Sequence, residues 1–274
     1  MNKVLKKTLL SSLIVPFAIG VQSVNAAQIT EWGYSVSNTF SDAVFSSGDG
    51  TPTLTDGNRT LSWGTTPEKS SVSITDVSAA SGLVTDGAFV AGGTFTHSNN
   101  VIFASDAALR GFNLTSALTL NPFAPVGVGS TQNVTPLTFA SSFIETPNRA
   151  TCFVGSVSNC DDIFTLDNLD EVGATPRLNG SYEFASPSFT IEDYNYTVFL
   201  ELIGLTTLGS TCAVAGAPAN CAGLITQEDT DNDFQTRFRI ASSPVSVPEP
   251  GTLALLGLGL TGLGLSRRKK AAKA

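Results

Sequence analysis

The single histidine, His97, is the first residue to consider for chemistry. One imidazole excludes every site that needs two, including HExxH zinc centres and zinc fingers. His97 follows Gly92-Gly93 and precedes the apolar residues 101–103, so we expect it at a strand end or in the loop that follows. Thr96 and Asn99 would hydrogen-bond local backbone, and His97 would clamp a turn through both ring nitrogens. We predict a structural role for His97, with ligand contact and general-base catalysis as the alternatives.

The acidic run 228–233 offers side-chain oxygens at alternate positions, as calcium loops do. Its candidate metal ligands are Asp229, Asp231 and Asp233. An EF-hand register needs Gly at its sixth position and Glu at its twelfth, where this chain has Phe234 and Ile240. We therefore expect a solvated acidic loop without a metal, and Ca²⁺ binding is the alternative.

A second acidic group comprises Asp161, Asp162, Asp167, Asp170 and Glu171. We expect these residues to form a solvated loop as well. Paired carboxylates can hydrolyse glycosides, but their spacing in sequence does not fix their separation in space. A secreted hydrolase therefore stays an alternative, although the chain has no GxSxG nucleophile elbow.

The four cysteines form two close pairs, Cys152 with Cys160 and Cys212 with Cys221. Four cysteines allow three connectivities. We predict disulfides between near neighbours, because an exported chain meets an oxidising compartment. Each short loop would then contribute roughly 2.5 kcal/mol by the chain-entropy argument. Zinc binding is the alternative, although the spacings do not fit the usual zinc patterns.

The two tryptophans, Trp32 and Trp63, could form an aromatic platform for carbohydrate. Trp32 lies near the start of the mature chain, where a first strand would pack. We therefore predict that these rings pack in the core or at an edge, and a sugar platform is the alternative.

The middle of the chain shows the period-two alternation of β-strands and no sustained helical spacing. Residues 194–203 predict a central strand, and residues 234–240 a strand with one wet face. Shorter candidate strands are 34–40, 60–63, 72–74, 94–96, 101–103, 112–120, 138–144, 152–154 and 182–191. Many short strands separated by Asp-Gly and Asn-Gly turns predict an all-β antiparallel sandwich or jelly roll.

The charge of this middle region excludes one class of partner. Between Gln28 and Val247 the chain has 7 basic and 22 acidic residues. So acidic a surface repels phosphate at long range, which excludes nucleic-acid binding.

The amino end has the three parts of a secretory signal peptide. Residues 1–7 are basic, residues 9–20 are apolar, and Val24-Asn25-Ala26 fits the small-x-small cleavage pattern. The apolar run is too short to span a membrane as a helix. We predict export, with cleavage after Ala26, and cleavage after Ala27 is the alternative.

The carboxyl end also has three parts. Val247-Pro248-Glu249-Pro250 precedes an uncharged apolar run, 251–265, and a basic cluster of Arg267, Arg268, Lys269 and Lys270. Fifteen helical residues reach about 22 Å, so the predicted helix would span the membrane only marginally. Basic residues stay on the cytoplasmic side, which leaves everything before Pro248 outside.

This tail resembles the PEP-CTERM sorting signal of bacterial surface proteins. The resemblance implies recognition by an exosortase, cutting near Pro248-Glu249-Pro250, and transient anchoring in the inner membrane. In addition, Thr96, His97 and Asn99 resemble the signature of the THxN family of PEP-CTERM proteins, which implies no established activity.

The sequence thus predicts a signal peptide (1–26), a secreted β domain (27–246) and a sorting tail (247–274). We expect a non-enzymatic structural or adhesive protein of the cell surface or extracellular matrix, and the resemblance suggests an association with exopolysaccharide. The alternatives are a polysaccharide- or calcium-binding module and a secreted hydrolase.

Overall fold

A computed structural model describes residues 27–146, 152–153, 155–158, 160–219 and 221–245, together with 257, 259 and 260. The predicted signal peptide and the motif Val247-Pro248-Glu249-Pro250 lie outside the described residues, as do the basic residues 267–270. Within the described part of the chain, no helix is long and apolar enough to cross a membrane.

Between residues 27 and 245, the described residues form seventeen strands and one short helix, α1 (Thr211–Val214). In chain order the strands are β1 (Glu31–Phe45), β2 (Thr53–Thr55), β3 (Thr60–Trp63), β4 (Ser70–Ile74), β5 (Val77–Val84), β6 (Val90–Asn99), β7 (Leu109–Ala124), β8 (Gln132–Asn133), β9 (Leu137–Ile144), β10 (Asp162–Leu166), β11 (Thr175–Pro176), β12 (Tyr182–Ala185), β13 (Phe189–Ile191), β14 (Tyr194–Ile203), β15 (Thr206–Thr207), β16 (Ala222–Thr226) and β17 (Thr230–Pro244).

The strands form two sheets in which the paired strands run antiparallel. Sheet 1 has the order β15-β16-β10-β9-β7-β1-β5, with β8 added to β7. Sheet 2 has the order β11-β12-β14-β17-β6-β4-β3-β2, with β13 added to β14. The chain crosses between the sheets several times, so strands distant in sequence become neighbours. This architecture confirms the predicted all-β class with two antiparallel sheets.

Alternation of apolar and polar residues explains the long strands. On β17, Phe234, Phe238 and Ile240 are buried, while Asp233 and Gln235 on the other face are exposed. β14 lies inside its sheet between β12 and β17, as the sequence predicted for residues 194–203.

Aromatic side chains fill the space between the two sheets. The Phe95 ring of sheet 2 stacks on Phe164 of sheet 1, with centroids 4.8 Å apart, and on Phe234 of its own sheet at 4.7 Å. Trp32 and Trp63 are fully buried. The predicted packing role of both tryptophans is therefore confirmed.

Some predicted strands differ in the structure. Residues 101–103 form a loop, because the Asp106 carboxylate accepts a hydrogen bond from the Phe103 backbone N–H and turns the chain. Residues 182–191 form two strands, β12 and β13, separated around Pro187. Residues 152 and 153 lie outside any strand, and residue 154 is not described.

The sequence analysis missed β10 and β16, which pair with each other. All five residues of β10 are buried, so its two faces show no alternation. On β16, a Cβ atom at Gly223 would overlap the carbonyl oxygen of Phe164, so only glycine allows the strands to approach so closely.

Both cysteine pairs are joined as predicted between near neighbours. The Cys152 and Cys160 sulfurs lie 2.10 Å apart, and those of Cys212 and Cys221 lie 2.16 Å apart. The first loop leads into β10, and the second connects β15 to β16 through α1. This pairing takes up the ligands that the zinc alternative needed.

Candidate functional site

His97 lies within β6 and points into the core between the sheets, fully buried. Its ring stacks on Trp63 at 5.9 Å and meets the edge of Phe143 at 4.9 Å. Neither ring nitrogen has a hydrogen-bond partner among the described residues. The predicted turn clamp is therefore wrong, because β6 continues past His97 and faces it away from any turn. Burial lowers the pKa of His97 to about 3, so the ring is neutral at pH 7.

Asn99 lies two residues further along β6, on the same inward face. Its amide Nδ2 donates to the Thr226 carbonyl oxygen at 3.0 Å and lies 3.4 Å from Glu228 Oε1. The prediction of a local backbone contact is thus wrong for Asn99, which ties β6 to the end of β16. Thr96 alternates with these residues and belongs to the opposite face of the strand.

Asp162 begins β10, fully buried, and is paired in register with Thr226. Its Oδ1 accepts from the Thr146 backbone N–H at 2.8 Å, whereas its Oδ2 has no partner among the described residues. Burial, and after it the charge of Glu145, raises the pKa of Asp162, with a further contribution from Glu228.

The expected solvated loop around Asp162 is only partly correct. Asp161 is also fully buried and accepts a hydrogen bond from the Ser158 backbone N–H at 2.9 Å. This carboxylate holds the first disulfide loop against the sheet. Asp167 accepts from neighbouring hydroxyls and is partly buried. Only Asp170 and Glu171 of this group are exposed, as the prediction required.

A cleft of about 500 Å³ opens beside these residues. Glu145 lies in its wall with Phe103, Asp106 and Arg110. The Glu145 Oε2 atom accepts from Trp63 Nε1 at 2.8 Å, which links the cleft to the ring that stacks on His97. Burial raises the pKa of Glu145 to about 8, although the Trp63 hydrogen bond opposes this shift. Glu145 is therefore largely a neutral acid at pH 7.

The pKa of Asp106, which lines the same cleft, is shifted in the opposite direction from that of Glu145. Burial alone would raise the pKa of Asp106, but hydrogen bonds from Thr65 and Phe103 hold it below its usual value. Its two oxygens accept from the Thr65 N–H and hydroxyl at 3.0 and 2.8 Å, and from the Phe103 N–H at 3.0 Å. Environments of this kind separate the pKa values of two carboxyls in one cleft. Because Asp106 is fully engaged by backbone and hydroxyl donors, it stabilises the surrounding loops.

Six buried or partly buried side chains from four segments of the chain thus form one connected group, which we call the polar cluster. Its members are His97, Asn99, Glu145, Asp162, Thr226 and Glu228. Four of them, His97, Asn99, Asp162 and Glu228, could be singled out from the sequence, but nothing in the sequence brought them together.

The three aspartates of the calcium alternative lie outside the polar cluster. Asp229, Asp231 and Asp233 are exposed, and Asp231 accepts a hydrogen bond from the Ser98 hydroxyl at 2.6 Å. Asp231 and Asp233 lie on the wet face of β17 rather than in a loop. Within the described residues, no group of three or more His, Cys, Asp or Glu side chains is suited to hold a metal. Glu228, from the same acidic run, is the residue that turns inward.

A second surface feature lies on the outer face of sheet 2. Arg239 lies over the Phe199 ring at 4.1 Å, and Arg237 over the Phe89 ring at 4.6 Å. Together with Arg177 these residues border an open groove of about 590 Å³. We call this feature the arginine groove.

The fold and the polar cluster define an all-β protein with two facing antiparallel sheets and a polar group buried at one end of its core. Comparison with known families matches residues 246–269 to the PEP-CTERM protein-sorting motif. The match confirms the PEP-CTERM tail that the sequence predicted and implies export, processing by an exosortase, and a location at the cell surface or outside the cell. The chain matches no curated protein and no solved structure.

Proposed function

We propose that this protein is a non-enzymatic structural or adhesive component of the cell envelope or extracellular matrix. The observation that carries the proposal is the position of the sorting motif. The last strand, β17, ends at Pro244, and the matched motif begins at residue 246. Cutting near Pro248-Glu249-Pro250 would therefore leave every described strand in the exported product.

The two ends of the chain supply the remaining steps of this proposal. We infer that a signal peptide, residues 1–26, directs export and that residues 251–265 hold the chain transiently in the inner membrane. The basic residues Arg267, Arg268, Lys269 and Lys270 would stay on the cytoplasmic side until an exosortase cuts. The narrower assignment to the THxN family stays a prediction.

The test separates a structural role from catalysis by dose. A host strain that lacks the protein is supplied with increasing amounts of purified exported protein, and the cohesion of its matrix is measured. A structural component restores cohesion in proportion to its amount, whereas an enzyme restores it at trace amounts. Glu145→Gln removes the neutral acid of the cleft and should restore cohesion as the wild type does. Recovery at trace amounts that Glu145→Gln abolishes would establish the hydrolase instead.

The arginine groove favours a second candidate function, binding of an acidic polysaccharide. Arginines stacked on aromatic rings are held in place before a ligand arrives, which reduces the entropy lost on binding. Arg237 also pairs with Glu201 at 2.7 Å, and Arg239 lies 3.6 Å from Glu183. The groove is bordered by Arg177, Arg237 and Arg239, which are three of the seven basic residues between Gln28 and Val247.

Polygalacturonate and neutral dextran are suitable probes for the groove. We expect retention on polygalacturonate that salt weakens, and loss of most of it in Arg239→Ala. Arg59→Ala is the matched control, because Arg59 is an ion-paired arginine that lies outside the groove. Equal retention of all three proteins would exclude the groove as the binding site.

A further inference from the structure

Three buried oxygens of the polar cluster have no hydrogen-bond partner among the described residues. They are Asn99 Oδ1, Asp162 Oδ2 and Thr226 Oγ1, and all three residues are fully buried. Native interiors leave very few buried polar atoms without a partner. Three such oxygens at one end of the core therefore indicate a missing positive or hydrogen-bonding group.

The backbone brings these oxygens together from three strands. Asp162 and Thr226 face each other in the ladder between β10 and β16. Asn99 reaches the same point from the opposite sheet, because its Nδ2 donates to the Thr226 carbonyl oxygen. The same amide lies 3.4 Å from Glu228 Oε1. Asn99 thus connects β6 to the Thr226 backbone and to the Glu228 carboxylate across the sandwich.

Two acidic side chains of the polar cluster interact unfavourably. Asp162 and Glu228 are both buried, and each raises the energy of the other when ionised. Asp162 forms no ion pair within the described ranges. A bound cation would compensate for the Asp162 carboxylate, whose Oδ2 has no partner among the described residues.

We propose that Asp162, Glu228, Asn99 and Thr226 bind a Ca²⁺ ion at the end of the sandwich. Carboxylate, amide and hydroxyl oxygens are the hard donors that Ca²⁺ takes, six to eight at a time, with water completing the shell. The described part of the chain has no group of three His, Cys, Asp or Glu side chains suited to hold a metal. Binding therefore depends on the neutral oxygens of Asn99 and Thr226 beside two carboxylates.

The site would join the two sheets and the loop between β16 and β17. The Glu228 backbone N–H also donates to the Ser158 hydroxyl in the first disulfide loop at 3.1 Å. The ion would thus stabilise the strands and the disulfide loop together. This inference does not depend on whether the protein is structural or binds polysaccharide.

Thermal unfolding of the exported protein, purified from its host, tests the site in CaCl₂ and in EDTA. We expect Ca²⁺ to raise the Tm of the wild type, with a shift that grows with its concentration. The Asp162→Asn substitution should abolish this shift. In EDTA, however, the variant should unfold at the same temperature as the wild type or higher, because the substitution removes an uncompensated buried carboxyl. Asp233→Asn, which changes an exposed acid of the β17 face, should keep the full Ca²⁺ shift.

Terbium luminescence gives an independent readout, because Tb³⁺ substitutes for Ca²⁺ and Trp63 borders the cluster. We expect emission on tryptophan excitation that excess Ca²⁺ displaces, and its loss in Thr226→Val. Trp63→Phe should remove the emission and Trp32→Phe should keep it, since Trp32 packs in the other core cluster. Two results would overturn the proposal. One is that Ca²⁺ leaves the Tm of the wild type unchanged. The other is that Asp233→Asn loses the Ca²⁺ shift while Asp162→Asn keeps it.

Discussion

Replacing His97 with Phe tests whether this residue is a buried, neutral ring without partners. Phe matches the shape of imidazole between Trp63 and Phe143 and removes two buried nitrogens that lack a partner. Because unsatisfied buried polar groups cost about 1–3 kcal/mol, we expect His97→Phe to be at least as stable as the wild type at pH 8.

The pH dependence of stability sets the size of the expected difference between His97→Phe and the wild type. Burial lowers the pKa of His97 from 6.5 to about 3, so on acidification the unfolded chain binds a proton that the folded chain does not. The wild type therefore loses stability below pH 6.5, by about 2 kcal/mol at pH 5 for this group. His97→Phe lacks this loss, so its advantage over the wild type should grow by about 2 kcal/mol between pH 8 and pH 5.

The neighbouring acids do not obscure this comparison. Burial raises the pKa of both Glu145 and Asp162, so both are largely protonated in the folded protein at pH 5. Their own contribution is shared by the two proteins and subtracts out when stabilities are compared.

Urea unfolding of both proteins at pH 8 and pH 5 is the measurement, with His97→Ala as the control. His97→Ala should lose about 3 kcal/mol at both pH values relative to His97→Phe, because it leaves a cavity beside Trp63. A stability difference between His97→Phe and the wild type that stays the same at the two pH values would refute the reasoning. A loss of more than 1 kcal/mol in His97→Phe at pH 8 would refute it as well.

Three further predictions follow from the same part of the molecule. Burial raises the folded-state pKa of Glu145 from 4.5 to about 8, so the folded chain holds a proton that the unfolded chain has released. The contribution of this group to the stability of the wild type should therefore fall as the pH rises from 4.5 to 8. Glu145→Gln should flatten that slope in urea titrations, and an unchanged slope would contradict it. Asp161→Ala should lower the free energy of unfolding by about 1–3 kcal/mol, because it frees buried backbone donors, whereas Asp170→Ala, at an exposed site, should change it by less than about 0.5 kcal/mol. Non-reducing peptide mapping should recover Cys152–Cys160 and Cys212–Cys221, and loss of either bridge should cost no more than about 3 kcal/mol; a cross-pair would disprove the connectivity.

The strands could be predicted from the sequence where one face of a sheet is wet. β17 has such a face, and residues 234–240 were predicted correctly as its middle, although the strand runs from Thr230 to Pro244. β14 was predicted over its full length as a central strand. β10 was missed because both of its faces are buried and it begins next to the acidic pair Asp161-Asp162, which is typical of a loop. A fully buried strand offers no alternation by which it could be recognised.

The polar cluster could not be predicted as a unit, since its members come from four separate segments of the chain. One signal was nevertheless present in the strand phases. His97 and Asn99 share their phase with Phe95, and Asp162 shares its phase with Phe164, whose ring stacks on Phe95. Phase therefore predicts which polar residues face inward, but only the pairing of the two sheets shows that they meet.

The sorting of this chain to the surface by an exosortase is the central claim, and one measurement tests it most directly. Intact mass is determined for the protein recovered from the surface of its host. We predict a chain that begins near Ala27 and ends near Pro248-Glu249-Pro250, and a Glu249→Gln variant that keeps its tail. Recovery of the full chain of 274 residues from the surface would contradict the account.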